Sequence, residues 1–192
     1  MFGQLYEQEN DFVAAESEYK EMLRKHPEHQ GGHAALASLY EKMGKADDAL
    51  SEYELELSLN PYDSGSLVRA SSLLLQDKKI DKALSFAQRA IAMNPGIVEA
   101  RRLYAQCLLE QNQPAEAVRQ LRAAVKVDSG DRNLRFLLAK ALRKTGSEAE
   151  ADEEMRIFDR LTREWRAADK ERGGRLEKAL KKGTPGDQSI RP

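Results

Sequence analysis

This chain repeats itself every 34 residues, and that period restricts its fold more than any other feature. Pro27, Pro61 and Pro95 stand 34 apart. So do five alanines in an unbroken column, Ala15, Ala49, Ala83, Ala117 and Ala151. A second column, Gly3, Ala37, Ser71, Ala105 and Ala139, is small throughout; a third, Tyr6, Tyr40, Leu74, Leu108 and Leu142, is large and apolar. Tyr19, Tyr53, Ala87, Leu121 and Met155 make a fourth. Apolar spacing within each unit is helical, with no strand-like alternation of useful length. The columns therefore describe antiparallel helix pairs, in which small residues let two backbones approach and the large column fills the space beside them. Each proline ends the second helix of its unit, since it has no N–H donor and clashes with the preceding turn. Met43-Gly44-Lys45 and Lys144-Thr145-Gly146 read as turns closed by a left-handed glycine. Ser147 followed by Glu150 reads as a capping box.

With 192 residues there is room for five such units and a sizeable core. The 41% apolar and 33% charged content suits a water-soluble helical protein. No apolar run approaches the roughly 20 residues of a bilayer-spanning helix, so no direct membrane insertion is expected. The N-terminal residues lack the basic flank and apolar stretch of a signal peptide. The single cysteine, Cys107, fits a reducing compartment, and a cytoplasmic location is expected. The alternative is a periplasmic one, should a signal segment precede this sequence. The net charge of −1 conceals an asymmetry: residues 1–64 carry 5 basic and 14 acidic groups, and residues 65–192 carry 26 and 18. The chain is acidic at its start and basic toward its end.

These columns resemble those of the tetratricopeptide repeat family, over about residues 1–165. The resemblance implies an all-α fold, a right-handed α-α superhelical solenoid. Its repeats would span 1–29 (truncated), 30–63, 64–97, 98–131 and 132–165. A capping or extension helix over 166–182 and a disordered tail over 183–192 would follow. Three departures stand out. The tryptophan expected early in each first helix is replaced by His33, Leu67, Arg101 and Arg135. Glu56 and Phe158 occupy a column where the family favours a small residue, and both changes point to looser local packing. Ser129 and Arg163 stand where the proline should recur, so the last helices should lack a sharp stop.

The two ends pose different problems. Repeat one begins inside its own first helix, which leaves Phe2, Leu5 and Tyr6 near an open edge and reads as a chain cut from a longer protein. At the other end, Ala151, Met155, Phe158, Thr162 and Trp165 keep one stripe on a helix from about Ser147 to Arg172. Gly173-Gly174 should break that helix, with a short basic helix from Arg175 to Lys182 beyond. Trp165 is expected to bury most of its ring as a packing cap.

Nothing in the sequence points to catalysis, a cofactor or a metal. His26, His29 and His33 cluster around a loop with Pro27 and Gly31-Gly32 but have no supporting cysteine, and read as exposed loop imidazoles. Cys107 shares a helix column with Leu39, Leu73 and Ala141, and reads as a small core residue. Phosphate-binding glycine motifs are absent.

In the family the groove-lining surface comes mainly from the first helices. Carried over, this places Arg69, Ser72 and Gln76 of repeat three in a peptide-binding groove. Arg102, Gln106 and Glu110 of repeat four follow, then Asn133, Lys140 and Arg143 of repeat five. Such a basic, amide-studded lining suits the carboxylate or backbone of an extended peptide. Some relatives grip chaperone C-termini through a two-carboxylate clamp of Lys, Asn and Arg. Here Ala34, Ala35 and Ser38 stand in those places, which argues against that partner. The expected function is a non-catalytic scaffold for a protein or peptide with an acidic segment or free C-terminus. An accessory domain of a larger bacterial enzyme or envelope-assembly protein is one alternative. A self-assembling solenoid, a homo-oligomer formed through the N-terminal edge, is the other. Nucleic acid is not expected, because the groove is basic at one end only and poor in aromatics.

Overall fold

A computed structural model of the chain describes residues 2–183, with side chains for residues 3–173 and Arg175. Ten α-helices among the described residues form sequential antiparallel pairs: α1 (Phe2–Gln8) with α2 (Phe12–Lys25), and α3 (Gly32–Lys42) with α4 (Ala46–Leu59). The third and fourth pairs are α5 (Ser64–Gln76) with α6 (Ile80–Met93), and α7 (Val98–Glu110) with α8 (Pro114–Val127). The last is α9 (Arg132–Lys144) with α10 (Glu148–Gly183). Each pair packs on the next, so the core is a string of inter-helix layers. The alanine column is fully buried, as the close approach of two backbones requires. In the small column, Ser71 is also buried and its hydroxyl donates to the Ala83 carbonyl at 2.8 Å, tying α5 to α6. None of the described helices is long and apolar enough to cross a membrane.

The turn within every pair uses one device. Asn10, Gly44, Lys78, Asn112 and Gly146, again 34 apart, all adopt left-handed backbone, at φ 60°, 72°, 60°, 58° and 78°. Glycine, or an asparagine whose short side chain tolerates the region, is the low-strain choice there; Lys78 is the exception.

Looser packing does not follow from the missing tryptophans. Their replacements bridge to the second helix: His33 Nδ1 lies 2.6 Å from Glu52, Arg101 donates to Gln120 at 2.8 Å, and Arg135 to Glu154 at 2.8 Å. Leu67, the apolar member, is fully buried. Glu56 is also buried, at 1% exposure, and has a partner-seeking role. Its carboxylate accepts from the backbone N–H of Gly31 at 2.8 Å and of Ala34 at 3.4 Å. The α3 N-cap is Gly31, which has no side chain to satisfy these orphan donors, so a residue from α4 does so instead.

The proline at the end of the second helix also proves dispensable. α8 stops at Val127, in register with Leu59 of α4 and Met93 of α6, although Ser129 replaces the proline. Asp128 supplies the stop, its Oδ1 accepting from the N–H of Gly130 and of Asp131, both at 3.1 Å. α10 does run on, and further than expected. Gly173-Gly174 does not break it, and the separate helix from Arg175 is part of the same 36-residue element. At 1.5 Å per residue α10 is about 54 Å long against about 20 Å for α9, so its C-terminal half projects beyond its partner. The tail expected from 183 onward lies, beyond Gly183, outside the described residues.

Two columns mark how the stack ends. Leu50, Leu84 and Val118, and likewise Leu57, Ile91 and Val125, take part in the layers shared with the following pair. In α10 the corresponding residues are Asp152 and Asp159, both exposed. At the opposite end Leu5 is 49% exposed, whereas its counterparts Leu39, Leu73, Cys107 and Ala141 are at most 8% exposed.

Candidate functional site

The first helices α1, α3, α5, α7 and α9 stack side by side and form one face of the solenoid. Along that face a single column changes character from end to end. Glu7 and Glu41 hold it in the first two repeats, Leu75 and Leu109 in the next two, and Arg143 in the last. Both glutamates accept a tyrosine hydroxyl from the second helix, Tyr19 on Glu7 and Tyr53 on Glu41, at 2.5 Å each. Burial first, and then the adjoining carboxylate, push both tyrosine hydroxyls above their usual range. Each glutamate also neutralises a cation of the following repeat: Lys42 on Glu7, and Arg69 on Glu41 at 3.6 Å.

Six of the nine expected groove residues meet in one pocket of about 340 Å³ over α5, α7 and α9. Ser72, Gln76, Arg102, Gln106, Glu110 and Lys140 line it. Leu75, Leu103, Leu109 and Leu137 form an apolar floor that the sequence reading missed, as it missed Lys78 on the rim. Lys78 escaped notice because it sits in a turn, outside the first helices. Its left-handed column, shared with two glycines and two asparagines, was the available signal.

The other three expected residues lie elsewhere. Arg69 is outside the pocket, turned to Glu41. Arg143 is drawn to α10, 3.3 Å from Asp152 and 4.0 Å from Glu148. Asn133 lines a separate shallow depression with Asp131, Arg132, Leu161 and Trp165. The basic character of the face is thus concentrated rather than continuous. Within the pocket Arg102 is committed to Glu99, with an Nε–Oε2 distance of 2.7 Å, and to Gln106 at 2.9 Å. The ion pair with Glu99 raises its already high pKa. Lys140 and Lys78 make no ion pair among the described residues, and are the pocket's available cations. A larger depression of about 570 Å³ over α1 and α3 is lined by Gln4, Gln8, Ser38, Lys42 and the Glu7–Tyr19 pair. It is polar and nearly charge-balanced.

The remaining candidates resolve simply. Cys107 is fully buried, and burial pushes its thiol up to about 11, far from a reactive thiolate at neutral pH. No cluster of metal-ligating side chains occurs among the described residues. Trp165 is not the buried cap expected: it remains 47% exposed, with the Arg132 guanidinium 4.1 Å from its ring centre.

Helix pairs of fixed period, stacked into a layered core with one face built from first helices, define an α-helical repeat solenoid. Family models described as tetratricopeptide repeats match residues 1–64 and 74–141. The chain belongs to the tetratricopeptide repeat family. No curated protein matches it by sequence. Solved structures share the fold at low identity. MamA superposes with a TM-score of 0.80 at 17% identity, over 87% of this chain and 98% of that one. YrrB, described as a TPR protein with an unusual peptide-binding site, gives 0.75 at 19%, over 83% and 82%. PilF of Pseudomonas aeruginosa gives 0.70 at 18%, over 95% and 90%.

Proposed function

We propose that this protein is a scaffold that acts by binding rather than catalysis, docking an extended acidic segment of another protein in the pocket formed by α5, α7 and α9. One observation carries the reading: the pocket joins a leucine floor to a rim on which Lys78 and Lys140 lack internal partners. Desolvated apolar contact would supply affinity, while the two ammonium groups would select carboxylates and orient them. YrrB, a protein of the same fold, is described as having an unusual peptide-binding site, so peptide docking has a precedent on this fold. Glu110 on the same rim disfavours a segment acidic at every position and favours one that alternates acidic and apolar side chains.

The test is a charge reversal. Lys78→Glu combined with Lys140→Glu should leave the helical spectrum unchanged, because both side chains are exposed. The variant should lose the partners that wild-type protein retains on a column at low salt, and those partners should elute as salt rises. Retention of every partner by the variant would refute the reading.

A further inference from the structure

The pocket ends at Lys140, but the face does not. One helical turn before Lys140, Phe136 is 48% exposed, in the column that holds Arg102 in the preceding repeat. Its ring packs on Phe158 of α10, with ring centres 5.5 Å apart. Two turns further along α10 comes Trp165, half exposed and stacked on Arg132. Apolar residues exposed singly need no explanation, whereas aromatics in mutual contact at the surface, as Phe136 and Phe158 are, make a patch that does. Phe136 lies on α9 itself, whose thirteen residues carry five cations and no anion; Arg135 and Arg143 pair with carboxylates of α10, and Lys140 makes no ion pair among the described residues. We infer that Phe136 and Phe158 form an aromatic subsite beside the pocket, one helical turn from Lys140, which receives a bulky apolar side chain of the same acidic segment. This inference rests on the reading of the pocket given above.

The spacing defines the occupant. Phe136 and Lys140 are four residues apart on one helix, about 6 Å along its axis. In an extended segment, alternate side chains point the same way and are about 6.4–6.8 Å apart. A bulky apolar residue placed two positions from a glutamate or aspartate therefore sets its ring on Phe136 while its carboxylate reaches Lys140. The intervening side chain points away and is unconstrained. Adjacent placement would send the two groups to opposite sides, and a four-residue separation would overshoot by about a full turn.

Trp165, two helical turns along α10 from Phe158, supplies a nearby reporter of occupancy, since it is the only tryptophan of the chain. The probes are fluorescein-labelled peptides containing Phe-Ser-Glu or Glu-Ser-Phe within a Gly/Ser frame. Controls carry Ala for Phe, or separate Phe and Glu by four positions. At least one of the two-residue spacings should bind about tenfold more tightly than the Ala control in anisotropy titrations, as expected for burying one aromatic side chain. Its unlabelled form should shift the Trp165 emission. Phe136→Ser should reduce it to the level of the Ala control, and Lys140→Glu should weaken both peptides. Equal affinity of the Phe and Ala peptides, with Lys140→Glu still weakening both, would overturn the aromatic subsite and leave the pocket reading intact. Indifference of every peptide to Lys140→Glu would overturn both. Because the decisive comparison is between peptides on wild-type protein, it does not depend on the folding of any variant.

Discussion

Replacing Glu56 by alanine separates family-based expectation from the structure. Alanine is the residue found at the same place in the next two repeats, as Ala90 and Ala124, so the column alone predicts a neutral or stabilising change. The structure predicts the opposite. Deleting the carboxylate removes the acceptor for Gly31 N–H at 2.8 Å and for Ala34 N–H at 3.4 Å. A hydrogen bond to an ionised acceptor is worth about 1.5–3 kcal/mol at good geometry, and the longer one a fraction of that. The vacated space adds to the loss, and relief from burying a charge offsets part of it. A net destabilisation of about 2–3 kcal/mol follows, within the range observed for lost helix caps and buried polar contacts. For a chain of this size that lowers the melting midpoint by roughly 4–12 °C. Because repeat stacks open locally, amide exchange is the sharper assay. Protection in α3 and α4 should fall about 30- to 150-fold, at tenfold per 1.4 kcal/mol, while α7 to α9 change little. Glu56→Gln retains one acceptor oxygen and should lose under half as much. An unchanged or raised midpoint for Glu56→Ala would refute the capping argument.

Alkaline titration provides a second check. Tyrosine ionises near about 10 in an unfolded chain, whereas Tyr19 and Tyr53 hold their protons to higher pH in the fold. The stability they contribute is therefore fully present below about 10 and is lost as pH rises beyond it. Their tyrosinate absorbance should appear together with loss of helicity, and a separate earlier step for all six tyrosines would contradict it. Lys78→Gly should stabilise by up to about 1 kcal/mol, as relief of left-handed strain exceeds the added chain entropy, and should weaken acidic peptides. Equal affinity would exclude Lys78 from binding. Ala83→Arg, at a position with no exposure, should cost more than about 4 kcal/mol, readable as loss of the cooperative melt.

The parts of this fold legible from sequence were those written as periodic columns. Ala83 and Ala117 identify the helix contacts because only a small side chain lets two backbones approach, and that demand recurs at each layer. What the columns could not convey was compensation between residues of different columns. His33 looked like a weak substitute for tryptophan until Glu52 was found 2.6 Å away. Glu56 looked misplaced because the donor it serves belongs to the backbone of Gly31, and backbone groups leave no mark in a sequence. The site divided in the same way. Arg102, Gln106 and Lys140 follow from helix register once the resemblance to the family says which helices line the groove. The loss of Arg69 and Arg143 depended on which acidic neighbours their long side chains could reach, which register does not specify. Gly173-Gly174 failed as a stop signal because a glycine pair weakens a helix without forbidding it, and ion pairs such as Arg172 with Asp169 and Arg175 with Glu171 flank the pair.

The asymmetry between Leu5 and the aspartates Asp152 and Asp159 gives the stack a direction of growth. A helix pair engineered ahead of α1 would find an apolar seat already provided by Leu5, and its own second helix need only carry Leu or Val at the positions of Leu50 and Leu57. The same pair appended behind α9 and the first turns of α10 would meet two carboxylates where two aliphatic side chains belong. Tandem arrays built from this chain should therefore lengthen readily from one terminus, and from the other only after Asp152→Val and Asp159→Val convert the closed face into a template.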